Sequence, residues 1–108
     1  MDKNSKNEEQ ENQVITRAPL PKGKEVIGIV EQRVGGIRMI VKCFDDKTRN
    51  CRVPGRLQRN LWLREGDIVI VEPWEYDDSK GDIIYKYNNS QIEWLKRRGF
   101  LKIIEEKI

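Results

Sequence analysis

Five short runs rich in Val and Ile recur between residues 25 and 87, each bounded by Gly, Pro, Asp or Asn. Runs this short, rich in β-branched residues and punctuated by turn residues, read as strands rather than helices. The first, EVIGIVEQRV (25–34), carries Gly28 at a point where a barrel strand bends. The second, IRMIVKCF (37–44), alternates: Ile37, Met39, Val41 and Cys43 on one face, Arg38, Ile40, Lys42 and Phe44 on the other. The loop DDKTRN then leads to NCRVP (50–54), the turn REGD opens DIVIVEPWE (67–75), and the loop DDSKG precedes DIIYKY (82–87). Leu57 and Leu61, four apart in RLQRNLWL (56–63), predict a short helix between the third and fourth strands. In SQIEWLKRRG (90–99), Ser90 and Glu93 have capping-box spacing, Gly99 ends the pattern, and Lys96, Arg97 and Arg98 complement the helix dipole. The order is that of a mainly β, five-stranded OB-fold barrel with a short helix between strands 3 and 4 and a C-terminal helix.

With 108 residues there is room for one small domain. Hydrophobic residues are 37% and charged residues 36%, which suits a closed sheet that buries one face of every strand and leaves no long edge. Residues 1–13 hold nothing to bury, so 1–17 is expected to be a disordered tail, 18–89 the barrel, and 90–108 a helix and tail. No apolar run approaches the roughly 20 residues that cross a bilayer. The N-terminus lacks the apolar region of a secretory signal, so the expected compartment is the cytoplasm, with no membrane partner.

The net charge of +3 hides segregation. Residues 33–64 hold nine Lys/Arg against two Asp, a balance of +7, whereas 65–85 hold seven acids against Lys80, a balance of −6. A clustered positive charge suits a phosphate backbone, and a solvated charge-rich surface is the plainer alternative. The seven acids would repel RNA, so they are expected on a different side of the barrel from the arginines. Cys43 and Cys51 could face each other across the 44–50 hairpin, and with no His they cannot complete a four-ligand zinc site. They read as small apolar core residues. Lacking His, a Gly-rich phosphate loop and a metal-ligand cluster, the chain does not read as an enzyme and calls on no cofactor.

Arg38 and Lys42 lie two pleats apart and point from the same sheet face, with Ile40 and Phe44 beside them. Cations with an aromatic neighbour hold single-stranded nucleic acid on OB-folds; alternatively Ile40 and Phe44 pack under the terminal helix. Trp62 stands between Leu61 and Leu63, so it is either exposed for stacking or caps the barrel. Trp74 and Trp94 read as packing residues, and Tyr85 and Tyr87 as core or rim.

The combination VPGRLQRNLWLREGDIVIVEPWEY with KGDIIYKYNNSQIEWLKRRG, together with the hairpin MIVKCFDDKTRNCRVPG, closely resembles the translation initiation factor 1A family in its archaeal form, over about residues 18–100. The resemblance implies a non-enzymatic S1-like OB-fold factor that binds the small ribosomal subunit and its ribosomal RNA at the aminoacyl-tRNA decoding site. It also implies promotion of initiator tRNA and mRNA binding, contacts with other initiation factors, and action as a monomer. It places RNA contacts on Arg38, Lys42, Arg49, Arg52, Arg56, Arg59, Trp62 and Arg64. Two other binding roles stand beside it: a general single-stranded RNA binder or RNA chaperone, and a protein–protein adaptor using the acidic 72–82 segment and the terminal helix.

Overall fold

The computed structural model describes residues 18–101, so the expected disorder of 1–17 and the end of the C-terminal tail lie outside the described residues. Two compact units are present, Pro21–Tyr87 and a second formed by the chain from Asn88 together with the stretch ending at Leu20.

The larger unit is a closed barrel of five strands: β1 Val26–Arg33, β2 Arg38–Cys43, β3 Thr48–Arg52, β4 Ile68–Pro73 and β5 Lys80–Lys86. Around the barrel the order is β1-β2-β3-β5-β4, with β1 closing on β4. All pairings are antiparallel except β3 with β5, which run parallel. This is the OB-fold. Alternation sends Met39, Val41 and Cys43 of β2 and Cys51 of β3 into a core shared with Val69, Val71 and Ile83. On β4 four consecutive residues, Ile68 to Val71, are buried, which is why that strand reads as an unbroken apolar run.

Local geometry refines several expectations. The β2–β3 loop is shorter than DDKTRN, because β3 already begins at Thr48; Asp46 turns the chain with φ 69°. Cys51 pairs across the sheet with Met39, not Cys43, because register starts from that tight turn. Both thiols are free, fully buried core residues. The helix between β3 and β4 is a single 3-10 turn, Gly55–Leu57, closed by Leu57 N–H to Pro54 O at 2.9 Å. One turn suffices to bring Leu57 and Leu61 half-buried against the core; the remainder to Leu63 is turn and extended chain.

In the smaller unit, helix α1 spans Asn89–Arg97. Its N-cap is Asn88 rather than Ser90: the Asn88 side chain accepts from Gln91 N–H at 2.8 Å, and Gln91 Oε1 accepts from Asn88 N–H at 2.9 Å. Asn caps as well as Ser does, so the earlier of two overlapping boxes sets the start. The end is as expected, with Gly99 at φ 83° and Phe100 N–H donating to Leu95 O at 3.0 Å.

Gly28 marks a close strand approach. A Cβ there would lie 2.6 Å from Val41 Cγ1 and 3.1 Å from Lys42 O. The bend is instead made by an irregularity between Val30 and Gln32. Gly28→Ala is therefore expected to lower stability by about 1–3 kcal/mol, the usual cost of overpacking. Gly36→Ala, with open space around it, should be neutral or slightly stabilising. Thermal unfolding of the two variants checks the contrast.

Candidate nucleic-acid interface

The β2–β3 register fixes what the outer sheet face presents. Arg38 lies opposite Arg52, Ile40 opposite Asn50, and Lys42 opposite Thr48. Arg38 is exposed, Lys42 and Phe44 are half-buried, and neither cation has an ion-pair partner among the described residues. Arg52 is committed elsewhere: its Nε donates to Asp82 Oδ1 at 3.0 Å and its guanidinium lies 5.0 Å from the Trp74 ring centre.

Arg49 corrects the sequence expectation most sharply. Its residue exposure is 1%, and it donates to Asp45 Oδ1 and Oδ2 at 3.1 and 2.9 Å, to Asp78 Oδ1 at 2.9 Å and to the Asp78 carbonyl at 2.8 Å. A guanidinium with this many acceptors is a structural tie, not a surface contact for RNA. Those hydrogen bonds hold the Asp45 carboxyl below the usual carboxylate range; Asp78 is lowered first by Lys47 and then by Arg49. The acids therefore do not all lie apart from the basic residues. Asn50 N–H donates to Ser79 O at 2.9 Å, and this parallel β3–β5 junction brings Asp78 against Lys47 and Arg49, and Asp82 against Arg52.

The connection from β3 to β4 supplies the second part of the surface. Leu57 and Leu61 turn inward and Leu63 is buried, which leaves Arg56, Arg59 and Arg64 exposed. Trp62 cannot share the interior with three leucines and stands 67% exposed. Its backbone carbonyl accepts from Lys86 Nζ at 2.8 Å, and the Arg33 guanidinium lies 5.8 Å from its ring centre. Lys86 Nζ is also 3.4 Å from Asp67, whose carboxylate accepts from Arg64 N–H at 2.7 Å. Sequence reasoning missed Arg33 and Lys86 as neighbours of Trp62, because they come from the end of β1 and the end of β5. Val34 and Ile37, also exposed, add apolar surface on the β1–β2 loop.

The structure thus divides the eight expected contact residues. Arg49 and Arg52 are paired within the protein; Arg38, Lys42, Arg56, Arg59 and Arg64 have no carboxylate partner among the described residues, and Trp62 is presented to solvent. Unpaired cations can hold phosphates, and an exposed ring can stack a base. Among the described residues no group of His, Cys, Asp and Glu is arranged to hold a metal ion. Burial pushes the Cys51 thiol up to about 12 and raises that of Cys43 as well, so neither is a nucleophile.

Three comparisons bear on this geometry. The family described as Translation initiation factor 1A / IF-1 matches residues 9–107. Translation initiation factor 1A of Picrophilus torridus is 48% identical over 95 residues, covering 88% of each chain. The Pyrococcus abyssi protein of the same name is 47% identical over 97 residues, covering 89% of this chain and 84% of its own. Among solved structures, the crystal structure of YjeQ from Thermotoga maritima matches with a TM-score of 0.50 and 23% identity, over 59% of this chain and 23% of that one, a likeness of fold alone.

Proposed function

The chain belongs to the translation initiation factor 1A / IF-1 family, a family of factors rather than enzymes, and from that membership we propose that it binds the small ribosomal subunit near the aminoacyl-tRNA decoding site and promotes initiator tRNA and mRNA binding. The observation that carries this reading is the set of unpaired cations, Arg38, Lys42, Arg56, Arg59 and Arg64, on β2 and the β3–β4 connection, together with the exposed Trp62 ring on that connection. Phosphates of ribosomal RNA meet the cations, with arginine forks able to grip a phosphate bidentately, while Trp62 stacks an unpaired base. The protein acts in the cytoplasm as a monomer, with no cofactor and no membrane.

Cosedimentation with purified small subunits tests the reading against that of a general single-strand binder. Binding to assembled subunits should exceed binding to free oligonucleotides of unrelated sequence. Affinity should also fall steeply with salt. Each contacted phosphate contributes roughly −0.7 to the slope of log affinity on log salt for single strands, so five contacts predict about −3.5. A flat salt response would remove the electrostatic basis.

A further inference from the structure

Asp67 is an acid at the end of the connection that carries Arg56, Arg59, Trp62 and Arg64. The turn before it is docked on β1. Gly66 has φ 92° and its N–H donates to Val30 O at 2.7 Å, while Asp67 O accepts from Val30 N–H at 2.9 Å. From that fixed point the Asp67 side chain, 22% exposed, reaches back so that Oδ2 accepts from Arg64 N–H at 2.7 Å. The same oxygen lies 3.4 Å from Lys86 Nζ at the end of β5, and Lys86 Nζ donates to the Trp62 carbonyl at 2.8 Å.

Little else holds Trp62. Its ring stands mostly in solvent, with the Arg33 guanidinium 5.8 Å from its centre. Upstream, Leu61 N–H donates to Leu57 O at 2.9 Å, and downstream Arg64 N–H is taken by Asp67. Among the described residues, the Lys86 bond is the one hydrogen bond to the Trp62 backbone.

We propose that Asp67 and Lys86 are positioning residues for Trp62. The carboxylate fixes the ammonium, the ammonium fixes the Trp62 carbonyl, and the indole is presented in one orientation for stacking on an unpaired base. The inference rests on the small-subunit reading above. A ring ordered before binding does not have to be ordered during it, so the latch raises affinity without itself touching RNA. Simple charge attraction makes the opposite prediction for Asp67: removing an acid from a basic surface should tighten RNA binding. Positioning requires that it weaken.

The test compares Asp67→Asn, Lys86→Met and Lys86→Arg with the parent in the full chain, by cosedimentation with purified small subunits well below the thermal midpoint. Asn keeps an oxygen for Arg64 N–H and removes the charge that holds Lys86. Expected is binding weakened about threefold by Asp67→Asn, the scale of one partly exposed ion pair. Little further loss is expected when the same change is made in a Trp62→Ala background. Lys86→Met should show a similar loss with the salt slope unchanged, and Lys86→Arg should restore binding. Parental or tighter binding by Asp67→Asn overturns the proposal, and so does an equal loss in both backgrounds. A salt slope shallower by about 0.7 in Lys86→Met would assign Lys86 to a phosphate and overturn it as well. Nuclear magnetic resonance of the free protein adds a measure that needs no ligand. The Leu63 amide shares its peptide group with the Trp62 carbonyl, so its resonance should shift and its order parameter fall in Lys86→Met and recover in Lys86→Arg. An unmoved amide overturns the latch. Failure of the unmutated protein to bind subunits would overturn the small-subunit reading, and the amide would still decide whether the latch exists.

Discussion

Changing Arg56 and Arg59 together to Glu is expected to weaken small-subunit binding at least tenfold, about 1.4 kcal/mol, without unfolding the protein. Both side chains are exposed and neither makes an ion pair among the described residues, so the fold loses nothing by their removal. The apolar positions of the same connection, Leu57, Leu61 and Leu63, are untouched and continue to seal the core. Reversal rather than neutralisation is the informative change, because it also repels phosphate where a cation attracted it. Binding measured by cosedimentation, with the thermal midpoint as control, decides the matter. A folded double variant that binds as tightly as the parent would reduce these arginines to a solvated turn.

The largest loss of stability is expected from Arg49→Met. The substitution keeps an apolar stem in a 1% exposed site but removes every donor that Asp45 and Asp78 receive from the guanidinium. Only the guanidinium is buried, while the Asp45 and Asp78 side chains are 33% and 52% exposed and can be rehydrated, so the loss is that of the charged hydrogen bonds, about 2–3 kcal/mol. For a domain of this size each kcal/mol corresponds to roughly 4–8 °C, so the midpoint should fall by about 8–24 °C. Subunit binding by the folded fraction at low temperature should be unaffected, which is the opposite of what a direct RNA contact predicts.

The same network has a pH signature. Asp45 and Asp78 have carboxyls lowered by their hydrogen bonds, Asp45 chiefly by Arg49 and Asp78 chiefly by Lys47. Their contribution is complete above the unfolded carboxylate value of about 4 and is lost as pH falls below it through the folded values. The parent should therefore lose stability on acidification below about pH 4 more steeply than Arg49→Met, in which Asp45 no longer has its main partner. Parallel acid profiles of the two proteins would contradict this account.

Local chemistry along the chain was enough for the five strands and the end of the helix at Gly99, but not for the order in which the strands pair around the barrel. β-branched alternation, turn residues and caps act over a few neighbouring positions, and so are visible in the string itself. The inward set Met39, Val41 and Cys43, and the exposure of Arg56 and Arg59, follow from such short-range patterning. The competing caps at Asn88 and Ser90 show its limit, since two good boxes overlapped and pattern alone could not choose. What only the tertiary structure decided was which cations remain free. Arg38 and Arg49 are alike as residues on neighbouring strands, yet Arg49 faces a carboxylate 29 residues away while Arg38 faces another arginine. Trp62 acquired Arg33 and Lys86 as neighbours, and Trp74 acquired Arg52, Lys80 and Asp82, by the same closure of the sheet. The physical reason is that ion pairing is short-ranged in space but indifferent to distance along the chain. The charge of a side chain can be read from its letter, but the availability of Arg49 and Arg52 is set by the parallel seam between β3 and β5.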